Sequence, residues 1–206
     1  MLKTLFFMMA VTLLQGCSVF GVRTVEILNY EVLQEDGKFD IRQYEDYWVA
    51  RTKIDGEYRI SSDKGFRLLF NYIAGGNKQQ EKIAMTGPVM QQEQGEKIAM
   101  TGPVIVQKSG KSWIMEFVLP SKYNELQPPE PLNPAVSVFK VPGYRAAALR
   151  YSGNLREEKY NIKVKKLLDI VQSKGLQSIG EPFSAGYDPP WTIPFLKRNE
   201  VLIVVE

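Results

Sequence analysis

Apolar and polar residues alternate along much of the first half of the chain, and a period of two predicts β-strands with one buried face. The alternation is clearest in residues 39–44 and continues in residues 47–54. An apolar stretch at residues 25–35 precedes them, separated by a turn at residues 35–38 that contains Gly. Residues 112–119 form another strand pattern. This part of the chain is therefore predicted to contain a strand meander.

Nine consecutive residues occur twice, as residues 81–89 and, fifteen residues further on, as residues 96–104. Both copies are Glu-Lys-Ile-Ala-Met-Thr-Gly-Pro-Val, with Ile, Met, Gly and Val on alternate positions. Each copy is predicted to be a strand, and the polar residues 90–95, which end in Gly, favour a turn that pairs the copies antiparallel. A period repeated only twice does not predict a solenoid.

Helical spacing appears between these strand patterns. Four apolar residues recur at i, i+3, i+4 and i+7, namely Phe66, Leu69, Phe70 and Ile73. The helix is predicted to begin at an N-cap of Ser61 or Ser62 and to end at the Gly-Gly-Asn of residues 75–77. It therefore has one apolar face to bury.

The second half of the chain repeats this order of elements. Residues 136–141 and 144–151 are predicted strands separated by Pro-Gly. Asn154 and Glu157 resemble a capping box, which predicts a helix that ends at Lys174 and Gly175. The apolar positions of this helix are Tyr160, Val164, Leu167, Leu168 and Val171. Two last strands are predicted around residues 179–187 and 200–205.

The two halves are joined by residues 127–134, which contain four prolines and form a short extended connector. Two strand-helix-strand halves of similar length predict an α+β domain over residues 25–206. We expect a curved antiparallel sheet, two main helices and a pseudo-twofold repeat. The length of 206 residues and the hydrophobic fraction of 44% suffice for one core.

The N-terminal residues are predicted to lie outside this domain. Lys3 precedes an apolar run at residues 5–14, which has the length of a signal-peptide core and is too short to span a bilayer. Residues 14–17, Leu-Gln-Gly-Cys, resemble a bacterial lipobox, in which the Cys is acylated and becomes the mature N-terminus. An ordinary cleaved signal with an unrelated thiol is the alternative.

The lipobox interpretation makes residues 1–16 a lipoprotein signal peptide, Cys17 the lipidation site and residues 17–24 a lipidated tether. The protein is then expected on the periplasmic face of the bacterial envelope, held by its lipid alone, and Ser18 favours the outer membrane. It would be anchored to the membrane without spanning it.

Composition excludes several kinds of site. The chain contains no His, and its single Cys is Cys17. Catalytic triads that use His, zinc or haem iron bound by His, and disulfides within one chain are therefore excluded. The net charge is +3, from 26 Lys and Arg against 23 Asp and Glu that are scattered along the sequence. Neither nucleic acid nor an anionic membrane is indicated as a partner by this distribution.

Several motifs in order resemble the SOUL/haem-binding protein family. They are residues 65–77, the Lys-Ile-Ala-Met-Thr-Gly-Pro-Val pair, residues 113–120, and residues 186–191 with residues 197–201. The resemblance covers residue 25 to the C-terminus. The doubled segment resembles a feature of the bacterial and plant members of this family. It implies a distorted, β-barrel-like domain with two helices. For some members it also implies reversible binding of haem or other tetrapyrroles in an apolar groove beside the first helix.

A haem site of this kind needs an apolar slot, cations for the propionates and, optionally, an axial ligand. The candidate slot is formed by Phe66, Phe70, Tyr72 and Ile73, with Lys64 and Arg67 as candidate cations. Because His is absent, the candidate ligands are Met85, Met100, Tyr72 and Tyr187, and binding by burial alone is the alternative. The same residues also fit a structural interpretation, with Met and Phe in the core and the two cations on a solvated helix surface.

Three functions follow for the domain. The leading hypothesis is a noncatalytic, lipid-anchored protein that binds haem or another hydrophobic planar ligand. The second is an envelope interaction or scaffolding protein whose pocket is filled by side chains. The third is a hydrolase-type enzyme on a small hydrophobic substrate, although no Gly-x-Ser-x-Gly motif or catalytic His is present. A filled pocket would favour the second hypothesis, and an open slot that faces a buried carboxylate would favour the third.

Overall fold

The computed structural model describes residues 25–78, 95–189 and 191–206. The predicted signal peptide and tether, Cys17, the first copy of the duplicated segment with Met85, and residues 90–94 of the predicted turn lie outside the described residues. The described residues form nine strands: β1 (Tyr30–Asp36), β2 (Phe39–Tyr44), β3 (Tyr47–Asp55), β4 (Val104–Ser109), β5 (Ser112–Val118), β6 (Val136–Val141), β7 (Tyr144–Tyr151), β8 (Ser178–Gly186) and β9 (Asn199–Val205).

In the described part of the chain, two helices accompany the sheet, α1 (Tyr58–Ile73) and α2 (Glu157–Ser173). Short 3₁₀ turns occur at Ser121–Asn124 and Pro194–Leu196. Among the described residues, no helix combines the length and the hydropathy needed to cross a bilayer.

The strands form one sheet in the order β1-β2-β7-β9-β8-β4-β5-β3-β6, and every neighbouring pair is antiparallel. A pseudo-twofold axis passes between β4 and β8. On one side β8, β9 and β7 follow in space, and on the other side β4, β5 and β3 follow. Beyond these blocks the halves exchange strands, because β2 pairs with β7 and β6 pairs with β3. The predicted α+β fold with a curved antiparallel sheet and an internal repeat is confirmed.

Alternate residues of each strand face opposite sides of the sheet, and both helices lie on the same side. Trp113, Met115 and Phe117 of β5 pack in one core cluster with Leu69 of α1. Val201, Ile203 and Val205 of β9 pack with Leu167 of α2. The opposite side, which we call the helix-free face, carries a third apolar cluster that includes Val118, Ala185 and Leu202. The central strands of the sheet are therefore buried on both sides, whereas the edge strand β1 is exposed.

The second copy of the duplicated segment is not a strand, and its prediction as one was wrong. Residues 95–103 are irregular apart from an isolated bridge between Ile27 and Gly102, and β4 starts only at Val104, the last residue of the copy. The alternation nevertheless has a structural basis, because Ile98 is buried and both neighbours of Ile98 are exposed. This segment is held by hydrogen bonds to parts of the chain that are distant in sequence.

Both helices begin without the predicted side-chain caps. Helix α1 starts three residues before Ser61, with Glu57 at the N-cap position and no capping side-chain bond. The α2 N-cap is Arg156, and the side-chain oxygen of Asn154 instead accepts a hydrogen bond from Lys197 at 3.3 Å. The buried face of α1 is also rotated relative to the predicted one, because Gly65 and Tyr72 are buried while Phe70 is half exposed.

Candidate functional site

The flank of α1 presents an aromatic pair at the protein surface. Phe66 and Phe70 are four residues apart, so their side chains lie one above the other on the helix. Their rings are nearly parallel, with centroids 6.0 Å apart and planes inclined by 12°. Phe66 is fixed from below by an edge contact with Phe117 of β5, at a centroid distance of 5.3 Å. The outer ring, Phe70, is 50% exposed.

Two candidate cations lie on the same helix as this aromatic pair. Lys64 and Arg67 are exposed, and Arg67 lies three residues from both Lys64 and Phe70. A shallow depression of about 420 Å³ on the outward surface of the helix is lined by Arg59, Ile60, Asp63, Lys64, Arg67 and Leu68. The two Phe rings do not belong to this lining, and Lys64, Phe66, Arg67 and Phe70 lie along the outward and lateral surface of α1. We call these four residues the α1 patch.

Tyr72 and Ile73 point away from the patch into the core. Tyr72 is fully buried, and its hydroxyl donates to the carbonyl of Pro129 at 2.9 Å. Burial in this apolar environment raises the pKa of Tyr72. Because a tyrosinate is the form that binds iron, this environment opposes ligation by Tyr72. The two residues support the patch from within the core and do not line its surface.

The second duplicated copy, which contains Met100, is held beside the end of α1 by specific contacts. The side-chain amide of Asn77 donates to the carbonyl of Glu96, and its oxygen accepts from the Glu96 backbone N–H at 2.9 Å. The Glu96 carboxylate accepts from the hydroxyl of Tyr123 at 2.9 Å. Ile98 donates its backbone N–H to the carbonyl of Ile73 at the end of α1. Met100 then packs, partly buried, against the same core cluster as Phe66.

Gly95, the residue before the second copy, is tightly packed against the neighbouring backbone. An added Cβ at Gly95 would overlap the carbonyl oxygens of Asn77 and Gly75, so a side chain does not fit there. The first copy is preceded by Gln80 instead of Gly. The residue before the second copy is therefore one that the backbone packing at this position requires to be Gly.

Tyr187 lies on the opposite side of the sheet from the α1 patch. Its hydroxyl donates to the carboxylate of Glu200 at 2.8 Å, and both residues are buried in the helix-free face. The structure therefore does not bring Tyr187 together with the helix residues. Burial raises the pKa of Tyr187, and the neighbouring charge of Glu200 raises it further.

Glu200 is the centre of a buried network of charges that the sequence analysis did not identify. Arg42 donates to both carboxylate oxygens, at 2.6 and 3.0 Å, and Arg198 donates to one of them at 2.9 Å. Asp40 completes the pairing of Arg42, with its oxygen 2.6 Å from Nε. Burial opposes ionisation of Glu200, but these hydrogen bonds and charges outweigh it and lower the pKa.

A second carboxylate occupies the pseudo-twofold position. Glu116 of β5 is opposite Arg51 of β3, just as Glu200 of β9 is opposite Arg150 of β7. The strand pairings therefore place six residues side by side in one row across the helix-free face, in the order Arg150, Glu200, Ala185, Ile105, Glu116 and Arg51. Arg51 is the cation paired with Glu116, and burial raises the pKa of this carboxyl despite that partner.

The space over this row is filled by aromatic side chains. The hydroxyls of Tyr47 and Tyr144 are 3.0 Å apart, although their strands are far apart in the sheet order. The ring of Tyr44 lies 5.1 Å from that of Tyr144. The cavity that remains between Tyr44, Tyr144 and Tyr187 has a volume of only about 10 Å³. In the described residues this part of the helix-free face is a packed interior and not an open slot.

The family of this chain follows from its sequence. The sequence model of the family described as SOUL heme-binding protein matches residues 25–204. The chain belongs to the SOUL heme-binding family. A comparison with the curated proteins gave no match.

Several solved structures have a similar fold at low sequence identity. The crystal structure of the EcmrR C-terminal domain has a TM-score of 0.55 at 11% identity, over 86% of this chain and 98% of that chain. The EcmrR–DNA complex structure gives a TM-score of 0.54 at 12% identity, over 82% of this chain and 57% of that chain. An uncharacterized conserved protein from Listeria innocua gives 0.50 at 9% identity, over 82% and 92%. At these identities the similarity concerns the fold alone.

Within this SOUL domain, the predicted site residues fall into three groups. Lys64, Phe66, Arg67, Phe70 and Met100 lie in or beside the α1 patch. Tyr72, Ile73 and Tyr187 are buried, and Met85 lies outside the described residues. In the described part of the chain, no three His, Cys, Asp or Glu side chains are placed to share a metal ion.

Proposed function

We propose that this SOUL-family protein binds haem or another planar tetrapyrrole on the α1 patch, as a noncatalytic, lipid-anchored protein of the bacterial envelope. The observation that carries the proposal is the environment of Phe70. A large aromatic ring is half exposed, stacks on a second ring, and has the exposed cation Arg67 three residues before it on the helix. An amphipathic surface of this kind suits a ligand with a flat apolar body and acidic edges.

Each part of the patch would contact a different part of such a ligand. The rings of Phe66 and Phe70 supply an apolar, polarisable surface for a planar macrocycle. Arg67 presents a planar guanidinium that matches a carboxylate through paired hydrogen bonds, and Lys64 supplies a second point charge. Haem, when bound, would supply the iron. The protein residues would hold the ring and its propionates by stacking and charge.

Lipid anchoring is supported by the sequence of residues 1–17, where an apolar run is followed directly by Leu-Gln-Gly-Cys. The proposal places the mature protein on the periplasmic face of the envelope, with the outer membrane favoured by Ser18. Replacement of Cys17 by Ala should release the protein from the membrane fraction. A Cys17→Ala protein that stays in the membrane fraction with unchanged mass would refute the anchor.

The binding proposal is tested by titration of the chain from residue 18 onward, which retains the complete described core. Haemin and an iron-free porphyrin are added separately, and the Soret band and Trp quenching are followed. Phe70→Ser and Arg67→Glu should each weaken binding by about tenfold, because each removes a contact worth about 1.4 kcal/mol. Both side chains are exposed, so the fold should be retained.

The matched controls lie on α2, where Ile162 is exposed as Phe70 is and Lys166 provides an exposed cation. Ile162→Ser and Lys166→Glu should leave the affinity unchanged. Saturation by both ligands indicates binding by stacking and charge, and saturation by haemin alone indicates an iron ligand, to be tested with Met100→Leu. Failure of both ligands to saturate would overturn the proposal.

The second candidate, an interaction or scaffolding protein, is favoured by the packed helix-free face. Among the described residues, the cavity between Tyr44, Tyr144 and Tyr187 has a volume of about 10 Å³, far below the volume that a planar macrocycle needs. The carboxylates of Glu116 and Glu200 are buried in this packed interior. If tetrapyrroles do not bind, protein partners in the envelope become the leading candidates.

A further inference from the structure

Three large apolar side chains are exposed together in the connection between β8 and β9. Trp191 is 65% exposed, Phe195 is 73% exposed, and Leu196 is 37% exposed. Single exposed apolar residues are common on protein surfaces, but a contiguous group marks an interaction site. We call these three residues the apolar loop.

Hydrogen bonds fix several backbone positions of the β8–β9 connection. Gly153 donates its backbone N–H to the carbonyl of Pro194 at 2.8 Å. Thr192 is buried and donates its N–H to the carbonyl of Pro189, and the backbone N–H of Arg198 donates to the carboxylate of Asp188 at 2.6 Å. The exposed side chains of the apolar loop are therefore carried by a segment that is tied to the rest of the domain.

Cations gather in space around the base of this loop, although they are scattered in sequence. Lys197 follows the loop directly and donates to the side chain of Asn154 at 3.3 Å. Lys159 reaches the same turn, where its ammonium group donates to the carbonyl of Ser152 at 2.7 Å. The exposed Arg156 lies two residues after Asn154. The nearby carboxylate of Glu157 is paired with Lys108 at 3.1 Å.

The described chain begins close to the base of the loop. The carbonyl of Glu26 and the ring of Tyr187, which opens the β8–β9 connection, both lie within 3.9 Å of the position of a Cβ on Gly102. Arg198, at the other end of the connection, donates to the hydroxyl of Tyr30 at 2.8 Å. Cys17 is eight residues before Val25, a distance of at most about 28 Å when extended. An acyl chain on Cys17 would therefore keep the loop within reach of the bilayer.

We propose that the apolar loop inserts into the headgroup region of the bilayer that holds the lipid anchor, with Lys159, Lys197 and Arg156 facing anionic headgroups. This inference rests on the lipid anchor proposed above. Trp is the side chain best suited to a membrane interface, because its ring is apolar and its N–H remains able to bond with water and headgroups. Basic residues beside it add attraction to anionic lipids. The loop would supply a second membrane contact and fix the orientation of the domain.

The test uses the mature acylated chain on vesicles of phosphatidylethanolamine with a minority of phosphatidylglycerol. Some vesicles carry bromine on the acyl chains near the headgroups. The fluorescence of Trp191 is obtained as the difference between the parent and Trp191→Phe, since Trp48 and Trp113 remain in both. We expect brominated lipid to quench this difference signal and aqueous acrylamide to quench it less than in solution.

A second variant keeps the reporter and removes its neighbours. Phe195→Ser with Leu196→Ser should reduce quenching by brominated lipid, whereas Ile162→Ser on α2 should not. With unacylated chain, binding to the same vesicles should be weak, should fall with added salt, and should drop by about tenfold for each aromatic ring removed.

Each outcome is decisive. An acylated chain that stays on the vesicles while acrylamide quenches Trp191 as fully as in solution would overturn the loop proposal and leave the anchor intact. Vesicle binding through the loop by a chain that proves not to be acylated would support the loop and refute the anchor. Tetrapyrrole binding is measured separately by the Soret band, so its failure affects neither result.

Discussion

The guanidinium of Arg42 lies 2.6 Å from the carboxylate of Glu200, and neither side chain has any exposed surface. Arg42 belongs to β2 in the first half of the chain, and Glu200 belongs to β9 in the second half. The pair therefore joins the halves across β7, beneath the packed tyrosines of the helix-free face. The buried charge of each residue is compensated by the other, so the removal of either one leaves a buried charge without its main partner.

Removal of Arg42 should be strongly destabilising. Arg42→Met leaves Glu200 and Asp40 buried without their main partner, and we expect a loss of about 3 to 5 kcal/mol in the free energy of unfolding. Urea denaturation measures this loss. As a control, Lys165→Met removes an exposed pair with Asp169 and should change stability by less than about 0.5 kcal/mol. A loss below about 1 kcal/mol for Arg42→Met would contradict the prediction.

Glu200 should make the fold sensitive to acid. Its pKa in the folded protein is lower than in the unfolded chain, so its contribution is present above the unfolded value of about 4.3. The contribution is lost as the pH falls through the folded pKa. We therefore expect the stability difference between the parent and Glu200→Gln to be largest near neutral pH and to shrink below about pH 4.3. Urea unfolding curves across this range measure it, and a constant difference would refute the assignment.

Glu116 should have the opposite pH dependence. Burial raises its folded pKa, so its contribution to stability is fully present below the unfolded value of about 4.3 and declines as the pH rises through the folded pKa. Glu116→Gln should therefore flatten the stability profile on the neutral side of about pH 4.3. The same unfolding curves measure this effect. A steeper decline at neutral pH in the variant would show that Arg51 dominates instead.

Gly95 should tolerate no side chain. Gly95→Ala forces the new Cβ against the carbonyls of Asn77 and Gly75, and we expect a loss of about 1 to 3 kcal/mol in the free energy of unfolding. Gly65→Ala in α1 is the matched control, because its nearest new contacts are ordinary ones at 3.5 Å. The control should be neutral or stabilising, since Ala favours a helix. Equal stability of the two variants would show that the backbone around residue 95 can shift to accommodate a side chain.

Strand positions could be predicted from sequence wherever one face alternates cleanly, and residues 136–141 and 144–151 appear as β6 and β7 with these bounds. The same reasoning failed at residues 96–103. Alternation there reflects Ile98 entering the core beside α1, while Asn77 and Gly95, which hold the segment, act through contacts that no local period records.

Sequence spacing indicates neighbours within one helix. Phe66 and Phe70 are four residues apart and Lys64 and Arg67 are three apart, so the members of each pair are adjacent on α1. The placement of Tyr187 with these helix residues was wrong, because Tyr187 lies on the opposite face of the sheet. The order of strands in a sheet is not encoded in local sequence spacing. Arg42 and Glu200 were missed because polar residues at alternate strand positions indicate a solvated face. Here the sheet curls, and that second face is buried as well.

The exchange of β2 and β6 gives the single chain the geometry of a dimer whose protomers have swapped arms. Each half contributes a strand that covers the outer edge of the other, β2 on β7 and β6 on β3. Loss of order in one half would therefore uncover a strand edge in both, and exposed edges pair readily with other chains. The two halves are expected to open and close as one cooperative unit, so protection from hydrogen exchange should be lost in both together.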